Sequence, residues 1–162
     1  MIWENLIFFY ISKHLYKNNF MRVYSKVIFC DIDGVLLPIG EDPDRFNSNC
    51  VENFNGILYA TDAEIVITST WRELFSLEAL GEIFAENDIV KLPVDATPII
   101  PYKTRKDEIV AFLKENPVYK FVVLDDSPDA FVHSFDEFIL IEDPAKGLTS
   151  KEAKKAIELL NG

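Results

Sequence analysis

The chain has 162 residues, 49% of them hydrophobic, and its 16 basic and 27 acidic residues give a formal net charge of −11. This length suits one domain with a single core, and the apolar content argues against a disordered chain. The acidic charge works against a broad electrostatic grip on nucleic acid or on an anionic membrane surface. Two cysteines without metal-type spacing fit a reduced setting inside the cell, and we expect a cytoplasmic protein with no membrane partner.

The first twenty residues contain an apolar run at positions 6–11. That run is too short to cross a bilayer, which takes about 20 residues. Glu4 stands where a signal peptide needs positive charge, and no small-residue cleavage site follows. We interpret residues 1–20 as an N-terminal extension, either an amphipathic arm or an upstream-extended start with Met21 as the natural one. Residues 21–162 are then expected to form a single domain.

Short apolar runs alternate with helical patterns along the rest of the chain. The runs predict strands at residues 27–30, 64–69, 89–94, 120–126 and 138–141. Apolar spacing predicts helices at residues 49–60, 76–88 and 105–116, and a capping box at Thr149-Ser150-Lys151-Glu152 opens a last one. This order predicts an α/β fold, a three-layer sandwich in which a mostly parallel five-stranded sheet has helices on both faces.

Polar residues stand at the carboxyl ends of three predicted strands. They are Asp31 and Asp33, then Ser69 and Thr70, then Asp125 and Asp126. The carboxyl ends of parallel strands are where such sheets bind ligands. Carboxylates that converge there raise each other's pKa unless a cation offsets their charge. The sequence therefore predicts a Mg²⁺ site shared with a phosphorylated substrate.

Asp31 and Asp33 are separated by one residue, so their side chains point to the same side if the chain stays extended. One can then act as nucleophile on phosphorus while the other handles the proton of the leaving group. Gly34 permits the sharp turn by which the backbone leaves the site. The competing interpretation is an ordinary Asp-Gly turn after a strand.

These motifs, in this order, resemble those of the haloacid dehalogenase-like (HAD) phosphohydrolases. "DIDGVL" matches the first motif, Ser69 after "EIVIT" the second, Lys106 at the start of "KDEIVAFL" the third and "VVLDD" the fourth. The resemblance covers about residues 25–160 and implies a Rossmann-like sheet. The short spans after the first strand and between Trp71 and Lys106 leave no room for a large cap domain.

The resemblance also implies a role for each residue. Asp31 would attack the phosphorus and form an aspartyl-phosphate, and Asp33 would protonate the leaving oxygen and then activate water. Ser69 and Lys106 would hold the phosphoryl oxygens, helped by substrate contacts from Thr70, Arg72 and Gly34. The implied Mg²⁺ ligands are Asp31, the backbone carbonyl of Asp33, Asp125 and Asp126.

Some of these assignments have alternatives. Lys103 or Arg105 is close enough in sequence to replace Lys106 as the phosphate-binding base. Thr68 or Thr70 could take the role of Ser69.

Two further residues remain open. Arg72 either contacts a substrate phosphate or neutralises the acidic rim, and Asp129 is either near the metal or an ordinary surface residue.

Within the HAD family, the motifs look most like the phosphatase-type domains of RNA-repair proteins. This resemblance implies a phosphorylated nucleic-acid end or a nucleotide as substrate. Two other classes compete with a phosphatase. One is a receiver-like phospho-acceptor domain, which fits poorly because the doubled Asp follows the Ser and the Lys. The other is a non-catalytic module that binds Mg²⁺ or phosphate.

Overall fold

The computed structural model describes residues 22–43, 45–127 and 135–162. Within them, five strands form one parallel sheet in the order β3-β2-β1-β4-β5. The strands are β1 (Tyr24–Cys30), β2 (Glu64–Ile67), β3 (Pro93–Ala96), β4 (Val118–Asp125) and β5 (Phe138–Leu140). The helices are α1 (Ser48–Thr61), α2 (Trp71–Leu74), α3 (Leu77–Glu86), α4 (Arg105–Glu115) and α5 (Ser150–Asn161). The predicted fold class is confirmed.

The strand order also decides between two interpretations of the sequence. Receiver domains have the order 2-1-3-4-5, in which the first strand lies between the second and the third. Here β1 lies between β2 and β4, and β3 stands at the edge. The receiver-like interpretation is therefore wrong.

The three central strands end at one level. Cys30, the last residue of β1, pairs with Ile67 on one side and with Leu124 on the other. All three side chains are buried in the same core cluster, which includes buried residues of α1, α3 and α5. Because side chains alternate along a strand, the residue after each of the three points to the opposite side of the sheet.

Helix α4 covers that opposite side. Its Ile109 and Phe112 pack against Phe29, Val66 and Val123 in a second cluster. The Phe29 and Phe112 rings meet edge to face at 5.5 Å between centroids, a favourable arrangement for aromatic pairs. A capping box between Thr104 and Asp107 fixes the start of α4, which places the first helical residue close to the ends of β1 and β4.

The element boundaries lie within three residues of the predictions except at the start of β3, and one short helix was not predicted. Strand β3 begins at Pro93 instead of residue 89, because proline lacks an N–H and is tolerated at the first residue of an edge strand. A one-turn helix, α2, stands before α3, and Ser76 caps α3 through the N–H of Ala79. The predicted capping box at Thr149 is present at the start of α5.

Residues 1–20, the predicted N-terminal extension, lie outside the described residues, and so does Asp129, whose role the sequence left open. Among the helices of the described ranges, none has the length and apolar character to cross a membrane.

Candidate active site

Three carboxylates converge at the carboxyl edge of the sheet. Asp31, Asp125 and Asp126 each offer an oxygen within 4.8 Å of the others. Asp31 is 4% exposed and Asp125 is fully buried. The N–H of Ile32 donates to the Asp31 carboxylate and the N–H of Ser127 to that of Asp125, each at 2.8 Å. These bonds hold one oxygen of each group and fix the orientation of both side chains.

The cluster has an excess of negative charge. Burial, opposed by the Arg105 guanidinium and reinforced by repulsion from Asp31, raises the pKa of Asp125 to about 6. Burial, followed by repulsion from Asp31, also raises the pKa of Asp126. A divalent cation would relieve this repulsion, and close carboxylate oxygens are the donors that Mg²⁺ prefers. The donor set therefore fits the metal that the sequence predicts.

Arg105, the first residue of α4, supplies positive charge to the cluster. Its Nη1 donates to the carboxylate of Asp31 and, at 2.5 Å, to that of Asp125. Burial opposes the charge of the guanidinium, but the two carboxylates outweigh burial and raise the pKa of Arg105 above its ordinary value. The Lys106 side chain makes no hydrogen bond or ion pair within the described ranges. The geometry favours Arg105, one of the sequence alternatives, over Lys106 as the basic residue of the site.

Asp33 lies beside the cluster and has an exposed side chain. Its Oδ2 accepts a hydrogen bond from the indole Nε1 of Trp71 at 2.9 Å. This contact was missed by sequence reasoning, because the two residues are 38 positions apart and nothing in their local patterns connects them. The predicted acid–base role of Asp33 stays a prediction.

Gly34 is required by the shape of the site. Its φ of +71° lies in the left-handed region, and a Cβ there would come within 2.3 Å of Oδ2 of Asp126. Its N–H donates to the carbonyl of Leu37 at 2.8 Å, which closes the turn. Gly34 thus leaves the space that Asp126 occupies, and its predicted contact with substrate is untested.

The hydroxyl residues after β2 differ in their surroundings. Thr68 follows Ile67 and points to the same side of the sheet as Asp31, and its buried Oγ1 has no hydrogen-bond partner among the described residues. Ser69 is buried too, and its Oγ accepts a long hydrogen bond of 3.4 Å from the N–H of Trp71. Thr70 is exposed. Of the two buried hydroxyls, Thr68, an alternative in the sequence, is the one without a hydrogen-bond partner within the described ranges.

A comparison with known protein families identifies the family of this chain. A family model described as the HAD domain in Swiss Army Knife RNA repair proteins matches residues 27–153. The chain belongs to this HAD family. The match runs from within β1 into α5 and includes all the carboxylates of the cluster, which confirms the resemblance seen in the motifs. Membership supports a HAD-type phosphohydrolase. No curated protein matches the chain.

In this HAD domain the guanidinium of Arg72 is committed to the protein itself. Its side chain is 5% exposed and forms a buried ion pair with Glu108 of α4. Its Nη1 donates to the carbonyls of Thr68 at 2.5 Å and Ser69 at 2.7 Å, and its Nε donates to that of Thr97 at 3.1 Å. Arg72 therefore joins the ends of β2 and β3 to α4 through four hydrogen bonds. Its predicted contact with a substrate phosphate stays a prediction.

Arg72→Met is expected to lower the free energy of unfolding by about 3 kcal/mol, because it leaves the buried Glu108 carboxylate without its partner. Urea denaturation of the two proteins measures the difference. Lys151→Met, which breaks the exposed pair with Glu142, is the matched control and should change stability little. An equal effect of the two substitutions would contradict the structural role of Arg72.

A cleft of about 270 Å³ adjoins the carboxylates of the HAD domain on the α4 side. The residues that line it are Thr70, Arg72, Glu73, Lys103, Arg105, Glu108 and Ser127. Arg105 belongs both to the cleft and to the carboxylate cluster, and Lys103 adds a second, exposed cation. The cleft therefore offers an anionic group a place beside Arg105, whose guanidinium contacts Asp31.

Proposed function

We propose that this HAD domain is a Mg²⁺-dependent phosphomonoester hydrolase that works through an aspartyl-phosphate on Asp31. The observation that carries the proposal is the buried pair of Asp31 and Asp125 bridged by Arg105, next to a cleft that also contains Lys103. In this arrangement Asp31 is a nucleophile with a fixed orientation, and Arg105 and Lys103 supply the positive charge that phosphoryl transfer needs.

Asp31, Asp125 and Asp126, with the backbone carbonyl of Asp33, are the residues that would hold Mg²⁺. The bound cation would supply positive charge that offsets the carboxylates and the phosphoryl oxygens. Arg105 and Lys103 add to this charge from the side of the cleft.

The reaction divides into two phosphoryl transfers. In the first, a carboxylate oxygen of Asp31 bonds to phosphorus, the bond from phosphorus to the leaving oxygen breaks, and Asp33 gives that oxygen its proton. In the second, water bonds to phosphorus and gives a proton to Asp33, while the bond between phosphorus and Asp31 breaks. Inorganic phosphate leaves, and Asp31 and Asp33 return to their starting states.

We propose a phosphorylated nucleic-acid end or a nucleotide as the substrate. The family description, which refers to RNA repair proteins, supports this class. Next to Lys103, the fully exposed side chain of Tyr102 offers a ring on which a base can stack. The net charge of −11 weakens binding to the backbone of a long nucleic-acid strand, so recognition would concentrate on the phosphorylated end.

The decisive experiment is hydrolysis of p-nitrophenyl phosphate with Mg²⁺ and with EDTA, followed by 3′- and 5′-phosphorylated oligonucleotides and nucleotides. We expect turnover only with the metal, and mass spectrometry after an acid quench should find phosphate on the peptide that contains Asp31. A folded protein that binds Mg²⁺ but hydrolyses none of these esters would favour the non-catalytic binding module.

Thr68→Val is expected to lower kcat/KM for phosphomonoesters about tenfold, since it removes one hydrogen bond to a charged phosphoryl group. The free energy of unfolding should not fall, because the lost hydroxyl is buried and has no partner in the described part of the chain. Ser69→Ala is the matched variant and should have the smaller kinetic effect. The reverse order of effects would return the phosphate-binding role to Ser69.

A further inference from the structure

Trp71 contacts the proposed acid–base residue directly. The indole N–H is a hydrogen-bond donor only, and it donates to Oδ2 of Asp33 at 2.9 Å. Within the described ranges the Asp33 side chain makes no other hydrogen bond, although its carboxylate is exposed to solvent. An exposed aspartate with a single fixed contact takes its orientation from that contact.

The Trp71 ring is itself held in place. It packs against Phe46, with ring centroids 6.3 Å apart, and against Phe75 at 5.6 Å. Phe46 is buried and meets Phe84 of α3 edge to face at 5.5 Å, so the contact reaches the core. The indole is therefore a rigid donor, anchored independently of the carboxylate cluster.

We propose that Trp71 is a positioning residue for Asp33. The indole holds Oδ2, so that the proton of the carboxylic acid is carried on Oδ1 and is presented to the leaving oxygen. This inference rests on the proposed function, in which Asp33 donates that proton during attack by Asp31 and recovers one from water. Trp71 itself gains and loses no proton and touches no reacting atom.

The test compares two leaving groups. p-Nitrophenolate is a weak base that departs without a proton, whereas the alkoxide of an alkyl ester such as β-glycerophosphate needs one. Trp71→Phe keeps the ring packing and removes the N–H. We expect it to lower kcat/KM about tenfold or more for β-glycerophosphate, and less than about twofold for p-nitrophenyl phosphate. Because kcat/KM reports on the steps up to the first irreversible transfer, slow hydrolysis of the aspartyl-phosphate does not obscure the comparison.

Phe75→Leu is the matched control, since it disturbs the packing of Trp71 but leaves the indole N–H in place. We expect it to affect both esters equally. If Trp71→Phe also lowers both values by the same factor, or lowers neither, the positioning role is wrong.

A second measurement separates this inference from the proposed function. The chain has two tryptophans, so a ¹H–¹⁵N spectrum contains two indole signals, and Trp71→Phe identifies the one from Trp71. Asp33→Ala should shift that signal in the absence of any substrate. If the Trp71 signal shifts but the wild-type protein hydrolyses no ester, the proposed phosphatase activity is wrong and the contact between Trp71 and Asp33 is confirmed. If the signal does not shift, the positioning role is wrong even when the wild-type protein is active.

Discussion

Asp31→Asn should abolish phosphomonoester hydrolysis, with a loss in kcat on the order of a thousandfold or more. The amide oxygen of asparagine is a poor nucleophile and forms no stable ester with phosphorus. The fold should survive, because Arg105 keeps its hydrogen bond to Asp125 and asparagine occupies nearly the same volume as aspartate. Steady-state kinetics on p-nitrophenyl phosphate and circular dichroism of the same samples test both statements.

Asp88→Asn makes the same change of charge at an exposed position outside the carboxylate cluster. Its φ of 60° is one that asparagine readily adopts, so this control should retain full activity. Residual turnover by Asp31→Asn above about a tenth of wild type would mean that Asp31 serves only as a metal ligand. Recovery of the phosphorylated peptide from an Asp31→Asn sample would contradict the assignment directly.

Arg105→Met is expected to lower the free energy of unfolding of the metal-free protein by about 3 kcal/mol. The substitution leaves two buried carboxylates, Asp31 and Asp125, without the guanidinium that bridges them. Added Mg²⁺ should recover part of this loss, so the rise in melting temperature with Mg²⁺ should be larger in the variant than in wild type. Thermal unfolding with Mg²⁺ and with EDTA measures both effects.

Lys106→Met removes the neighbouring positive charge and serves as the control. Because the Lys106 side chain has no ion pair within the described ranges, its loss should change stability little and leave the response to Mg²⁺ unchanged. Should Lys106→Met prove the more damaging of the two, the base assigned by the motif would be correct and the geometric assignment to Arg105 would fail.

Much of the fold follows from the periodicity of the chain. Val27 to Cys30 is a continuous apolar run because β1 is buried on both faces, and such runs are typical of a central parallel strand. The carboxylate cluster was predictable for the same reason, since parallel strands bring their carboxyl ends to one edge. The start of β3 was not predictable in this way. Ile89 is part of the core although it lies outside the strand, and it adds to the apolar character of residues 89–92.

The contacts within the site depend on information that no local pattern contains. The choice between Arg105 and Lys106 is set by the first turn of α4, where the capping box at Thr104 decides which residue faces the carboxylates. The commitment of Arg72 to Glu108 joins residues 36 positions apart. The hydrogen bonds from this buried arginine to three backbone carbonyls depend on tertiary packing. For that reason the sequence left the role of Arg72 open.

The contacts of the Arg72 guanidinium determine which parts of the cleft can tolerate substitution. By tying the ends of β2 and β3 to α4, it makes the inner wall of the cleft one rigid piece. The outer wall consists of solvent-facing side chains such as Thr70 and Lys103, which can be exchanged without moving the wall behind them. The cleft thus has a fixed inner layer and an exchangeable rim, so substitutions at the rim can change its shape and charge while the inner layer keeps its geometry.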